Sequence, residues 1–509
     1  MPSFGAARSD EFKCLNLSIT IPHQTAKPTE KLPVLVFIHG GAFVGGSQTV
    51  RVGGREIYDG YEAVRASVTL GLPIIVVTLN YRVGPLGFLA SEQLAAYNES
   101  HDEPKGNYGL HDQRAALTWI SRFISGFGGD TDNVTIYGTS AGAASCHYQS
   151  IFPDRKFKRA ILSSATLFGI GAMPLEYCQQ TFERFKAVLV KDKVEVEDMV
   201  KAFQDVPVEE FVHAVSISLC TPLMDGTWVK QEALFGDSND ANAPDLMIGS
   251  CAYEVSTFSP QSPPLDQGTQ LTSCTVFLLS QLEVAEHILT SSWDISSPKP
   301  YYDSVILSAW QATMASNSML KVSSASGLPR SIFNAYNIGP GAVLHPTQAI
   351  GAWSALLSDC IFRIPPLYTL RHNRSNSNKI LLYEFAATNP YPGGKPWYGK
   401  ANHGVNDLFI FDPAADKVPA EHREAFGEAV KEVQRCWVEF CHGKMPWPKA
   451  NGEGVKRGQE PIYVFDNGRD SRLAYGVAEA VGTDAELRWE AVLDIAGAAR
   501  DPKGKCSCE

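Results

Sequence analysis

"VTIYGTSAGAAS", Val134 to Ser145, runs from a β-branched apolar strand directly into Gly138-Thr139-Ser140-Ala141-Gly142. Ser140 has glycine two places before it and two places after it, as a very tight strand-to-helix turn requires. Such a turn holds the serine in a strained backbone conformation, and a side chain on either glycine would collide with the adjoining elements. The pattern points to an exposed nucleophile. A glycine-rich turn with no chemistry is the competing reading, and the motif alone does not separate the two.

The sequence around this turn has the rhythm that would support a nucleophile. "LNLSITIP", "LPVLVFIHG", "GLPIIVVTLNYR", "NVTIYG" and "FKRAILSSA" read as strands, several of them apolar throughout and therefore covered on both faces. Between them, "HDQRAALTWISRFIS" and "AASCHYQSIF" read as helices. Strand and helix in alternation imply an α/β fold with a mostly parallel sheet flanked by helices. From about residue 172 to 380 the strand signal thins to "PDLMIGSCAYEV". Helical runs replace it, "EYCQQTFERFKAVLV", "VEDMVKAFQDV", "EVAEHILTSSWDI" and "YDSVILSAWQATMA", which read as a helical cap inserted before the last strands. "KILLYEFAA" and "PIYVFD" return to the sheet, with the long helix "EHREAFGEAVKEVQRCWVEFCHG" between them. A cap in that place lies over the strands' C-terminal ends, where open α/β sheets bind ligands.

Composition narrows the function. The chain has 509 residues, 44% of them hydrophobic, enough for a large core, and a formal net charge of −11. That balance, with no basic stripe, argues against nucleic acid as a partner. No apolar run is long enough to span a membrane, and "MPSFGAARSDEFK" lacks the apolar core of a signal peptide. Eleven cysteines without a Cys-x-x-Cys pair give no disulfide framework and no metal-ligand spacing. The expectation is a cytoplasmic protein without metal or cofactor, or a secreted one if the natural N-terminus is longer.

A serine nucleophile needs a base, an acid that orients the base, and N–H donors for the oxyanion. "VFIHGGAFVGG" ends a buried strand in small residues, so the N–H groups of Gly41 and Ala42 are the expected donors, joined by that of Ala141 beside the nucleophile. His403 in "GKANHGVNDLFIF" comes late in the chain on a loop beyond a strand and is the preferred base; His345, His372 and His442 compete. For the acid, Glu254 in "LMIGSCAYEVSTF" follows a strand and is preferred to Asp225 in "PLMDGTW".

These residues together resemble the type-B carboxylesterase, or cholinesterase-like, family of α/β-hydrolases. The resemblance is strongest over "GNYGLHDQRAALTWISRFISGFGGDTDNVTIYGTSAGAAS", Gly106 to Ser145, and extends through "CLNLSITIP", "VFIHGGAFVGGS", "VTLNYRVGPLGFLA", "PLMDG", "LMIGSCAYEVSTF" and "HGVNDLFIF" in order. It implies an α/β-hydrolase fold in a single domain over residues 1–509. It also implies Ser140 as nucleophile, Glu254 as acid in preference to Asp225, His403 as base, Gly41, Ala42 and Ala141 at the oxyanion hole, and Ser164 as a supporting serine.

The activity implied is hydrolysis of a small hydrophobic carboxylic ester through an acyl-enzyme, with Phe43, Leu223 and Trp397 as pocket walls. An inactive binding or adhesion member of the fold, or a lactone or amide hydrolase, are the alternatives. Two departures stand out. Thr139 occupies a position where the family usually has glutamate. Only thirteen residues precede Cys14, so the family's early strands and the partner of that cysteine are expected to be missing.

Overall fold

Every residue of Leu32–Ile38, Ile75–Leu79 and Ile380–Phe385 is buried, so these strands need cover on both sides. The computed structural model describes residues 13–23, 30–52, 54–190, 199–214, 220–230, 240–254, 299–300, 330–337, 343–344, 346–373, 377–394 and 397–498. It places the three strands in one nine-stranded sheet. In chain order its members are β1 Leu17–Thr20, β2 Leu32–Ile38, β3 Ile75–Leu79, β4 Gly129–Thr139, β5 Arg159–Ser163, β6 Asp245–Cys251, β7 Ile380–Phe385, β8 Pro461–Phe465 and β9 Arg472–Tyr475. Across the sheet the order is β1-β3-β2-β4-β5-β6-β7-β8-β9. All neighbours from β3 to β8 are parallel, and β1 and β9 close the edges antiparallel.

The period-two alternation of strand side chains divides the core into two layers. Val34, Val36 and Ile38 of β2 and Leu246 and Ile248 of β6 face one layer. Leu35, Phe37 and Met247 face the other. Helices α1 Tyr61–Thr69, α2 Tyr108–Phe123, α3 Ala141–Ser150, α4 Asn406–Phe411, α5 Arg423–Cys441 and α6 Thr483–Ala498 supply the cover. Leu117 and Ile120 of α2, Tyr148 of α3 and Trp489 of α6 join the first layer. Val64 of α1, Phe409 of α4 and Trp437 of α5 join the second. Each such side chain contributes about 1.5–3 kcal/mol by leaving water. Helix α3 is buried at every position, which explains its run of Ala, Gly, Ser and Cys: bulkier residues all round would not fit the sheet.

Within 172–380 the described helices include Leu175–Leu189, Met199–Gln204, Val208–Ala214, Pro346–Ser358 and Ile364–His372. Core strand β6 is threaded between them. The expected helices over 283–295 and 302–315 lie outside the described residues. Strand β9 has no counterpart in the sequence reading, because "RLAY" is four residues long and mostly solvent-facing. Since β2, β4, β6 and β7 are parallel, the loops after them all emerge at one edge of the sheet, and these loops carry the candidate residues.

Candidate active site

Strand β4 ends at Thr139 and α3 begins at Ala141, leaving Ser140 alone in the turn with φ 60° and ψ −127°. For a residue with a side chain this backbone costs about 1–3 kcal/mol and persists only where the surroundings enforce it. Here they do. A Cβ on Gly142 would stand 2.0 Å from the Ile38 carbonyl oxygen, and one on Gly138 would stand 2.3 Å from the Gly142 carbonyl carbon. Gly142 is therefore dictated by contact with the end of β2, and Gly138 by contact with the first turn of α3. The Ser140 N–H donates to the Ser163 carbonyl at 2.9 Å, and the Ser140 carbonyl accepts from the Ala144 N–H at 3.0 Å.

The loop after β2 is the other half of this contact. A Cβ on Gly40 would come 3.1 Å from Ser140 Cβ, so the loop backbone lies directly against the serine. Gly41, Ala42 and Phe43 have φ of 126°, 52° and 62°, an unusual run of left-handed residues. The Val44 and Gly45 N–H groups donate back to the Gly41 carbonyl at 3.0 and 3.1 Å, closing the loop. Among the described residues no group accepts from the Gly41 or Ala42 N–H. The Ala141 N–H, at the first position of α3, has no carbonyl one turn behind it. Buried His39 supports the loop from below. Its Nδ1 donates to the Gly40 carbonyl at 2.8 Å and its ring stacks on Tyr81. Burial lowers its pKa to about 4, so it stays neutral.

Glu254 and His403 are in direct contact. An isolated parallel bridge joins Tyr253 to Asn402, with the Tyr253 N–H donating to the Ala401 carbonyl at 3.0 Å. The next residue on each side is Glu254 and His403, and His403 Nδ1 donates to Glu254 Oε2. A carboxylate can only accept, so Nδ1 carries the hydrogen and, in the neutral ring, Nε2 is the unprotonated nitrogen. The other carboxylate oxygen, Oε1, accepts from the Cys251 N–H at 2.6 Å. Phe362 packs its ring 4.6 Å from that of His403 and comes from a five-residue π-helical turn, Asp359–Arg363. Such turns are frequent at functional sites, and nothing in the sequence marks this one.

A polar cluster lies beneath the nucleophile turn. Asp407 Oδ1 accepts from Thr139 Oγ1 at 2.7 Å, from Asn406 Nδ2 at 3.1 Å and from the Tyr137 hydroxyl. All four side chains are buried. Gly404, next to His403, neighbours Thr139: a Cβ there would be 3.8 Å from Thr139 Cγ2, an ordinary van der Waals contact. The segment that carries His403 is linked to the residue that precedes Ser140 through the Thr139–Asp407 hydrogen bond. The sequence reading missed Asp407, although its position four residues after His403 was visible.

The remaining candidates divide. Ser164, at φ 56°, points its hydroxyl at Cys251 Sγ, 3.5 Å away, so it reaches Glu254 only through the residue whose N–H the acid accepts. Phe43 is fully buried and packs on Phe88, and Leu223 is buried beside Ala90 and Cys178. Both side chains pack into the apolar core in this structure. Trp397 is half-buried and its carbonyl accepts from the Lys400 N–H.

The rivals have structural work. Asp225 Oδ1 accepts from the Thr227 and Val229 N–H groups, and Oδ2 from Asn107. His372 bonds the Tyr368 carbonyl, and His442 caps α5; His345 lies outside the described residues. Among the described residues Cys146, Cys178, Cys220, Cys251, Cys436 and Cys441 are free thiols. Among those residues no three His, Cys, Asp or Glu side chains group as metal ligands, and no helix is long and apolar enough to cross a membrane.

The carboxylesterase family model matches residues 4–461. The chain belongs to this family. Its members similar to the chain include lipase 4 of Diutina rugosa, 28% identical over 436 residues, a stretch covering 81% of this chain and 68% of that lipase. The bile salt-activated lipase of Bos taurus is 41% identical over 192 residues, which span 37% of this chain but only 29% of the lipase. Among solved structures, a carboxylesterase of Geobacillus stearothermophilus superposes with a TM-score of 0.64 at 22% identity, over 94% of this chain and 85% of that one. This carboxylesterase family member therefore has the α/β-hydrolase fold expected of it.

Proposed function

We propose that the protein is a cofactor-independent serine hydrolase that cleaves carboxylic esters through an acyl-enzyme. Ser140 Oγ attacks the ester carbonyl while His403 Nε2 takes its proton. Glu254 keeps the imidazole in the tautomer that can accept the proton and stabilises the imidazolium that results. The N–H groups of Gly41, Ala42 and Ala141 receive the oxyanion, each such donor lowering the barrier by about 3–4 kcal/mol. His403 then returns the proton to the leaving alcohol, and water repeats the sequence to release the acid. The Phe362 ring beside the imidazole favours an uncharged, apolar ester of small to medium size.

The observation that carries this reading is the Glu254–His403 hydrogen bond, together with a strained serine whose Cβ abuts a loop in which the Gly41 and Ala42 N–H groups meet no acceptor among the described residues. Sequence membership in a family whose relatives are named lipases supports the same chemistry. The test is incubation with a fluorophosphonate, followed by peptide mass spectrometry. Stoichiometric phosphonylation of Ser140, lost in Ser140→Ala and slowed in His403→Ala, is the expected result. A folded protein that takes no label at Ser140 is a binding protein on this fold, and the proposal fails.

A further inference from the structure

The Asp407 cluster sits under the nucleophile turn. The Thr139 hydroxyl donates to a carboxylate brought in from the His403 side of the site. One oxygen, Asp407 Oδ1, gathers hydrogen bonds from Tyr137 and Thr139 at the end of β4 and from Asn406 at the start of α4. Asn406 Nδ2 also donates to the Tyr137 hydroxyl at 2.9 Å. The same few atoms therefore join the strand that ends in Ser140 to the helix that begins three residues after His403.

We propose that Asp407 is a positioning residue for the hydrolytic site: its carboxylate fixes the His403 turn against the Ser140 turn and holds a negative charge near the imidazole. This inference rests on the reading of Ser140, His403 and Glu254 as the reacting group. A purely structural clamp would not need a charge. Asparagine has nearly the same shape and could accept the same hydroxyl hydrogen bonds without burying an anion. The carboxylate is expensive here, since burial raises its pKa to about 6, with the Tyr137 and Thr139 hydrogen bonds and the charge of His403 pulling the other way. Near neutral pH it is still an anion. The other titratable groups felt across the packed elements are the phenols of Tyr58, Tyr137 and Tyr383, all held neutral by burial. Glu254 bonds the imidazole directly at Nδ1. What the buried charge can act on is the imidazolium that forms as Ser140 loses its proton.

The test is an NMR titration of selectively labelled histidine in the full-length wild type, Asp407→Asn and Thr139→Val, together with steady-state hydrolysis of an aryl acetate. In Asp407→Asn the His403 titration moves to lower pH by about half a unit or more. Turnover falls about tenfold to a hundredfold with KM nearly unchanged, and the melting temperature is not reduced. Thr139→Val removes one hydrogen bond but keeps the charge, so its His403 titration stays with the wild type. An unchanged His403 titration in Asp407→Asn overturns the proposal, as does a fall in turnover that merely follows a fall in melting temperature. The titration needs no substrate. A protein that hydrolysed no ester would refute the enzymatic reading and still report whether Asp407 and His403 are coupled.

Discussion

Tyr253 and Asn402 form an isolated parallel bridge, and through it Glu254 and His403 come to face each other from segments 149 positions apart in the chain. The bridge is backbone to backbone, so the pairing of acid and base does not depend on which side chains occupy 253 and 402. It does depend on Glu254 being an acceptor. Glu254→Gln keeps the shape but offers an amide N–H to Nδ1, favouring the tautomer whose Nε2 already carries a proton. Turnover is expected to fall by about a thousandfold to ten-thousandfold, as for a triad acid made neutral, with the melting temperature little changed. Stopped-flow or steady-state hydrolysis of an aryl ester measures it, and a loss below tenfold would show that Glu254 does not orient His403.

The turn around Ser140 has no room for one more carbon. Gly142→Ala would push a methyl to within 2.0 Å of the Ile38 carbonyl oxygen, an atom of the central sheet that cannot give way. A loss of at least about 2–4 kcal/mol is expected, in the range of severe overpacking. Thermal and urea denaturation read it directly. Wild-type stability in this variant would mean the turn is looser than described.

Asp407 gives a stability prediction with a definite sign. Its carboxyl has a pKa of about 6 in the folded protein against an ordinary value of 3.8. Between those values the native state binds more protons than the unfolded chain, so this group makes stability fall as pH rises through about 3.8 to 6 and adds no slope above that window. Asp407→Asn removes the slope. Relative to wild type, the variant should gain on the order of 1–3 kcal/mol between pH 4 and pH 7. Melting curves across that range test it, and a variant-to-wild-type difference independent of pH contradicts it.

The sheet and the nucleophile turn were legible because their causes are local. A strand buried on both faces must be apolar at every position, as in "LPVLVFI" and "ILLYEF". A turn pressed against a carbonyl must have glycine, as at Gly138 and Gly142. The Glu254–His403 pairing could be ranked from chain order but not chosen from residue type, because Glu254 after a strand and Asp225 in an Asp-Gly turn both suit the role and their contacts separate them. Asp407 was passed over since a carboxylate in the first turn of a short helix ordinarily needs no other explanation. For Phe43 and Leu223 the sequence is silent in another way: an apolar residue type does not say whether it faces a cavity or the core.

The central claim is that the hydroxyl of Ser140 is the nucleophile, and the most direct measurement is aryl-ester turnover by purified wild type and Ser140→Ala. The account predicts a loss of about a millionfold, the size seen when a triad nucleophile is removed, in a variant that melts like the wild type. Turnover by Ser140→Ala within about tenfold of the wild type would contradict it.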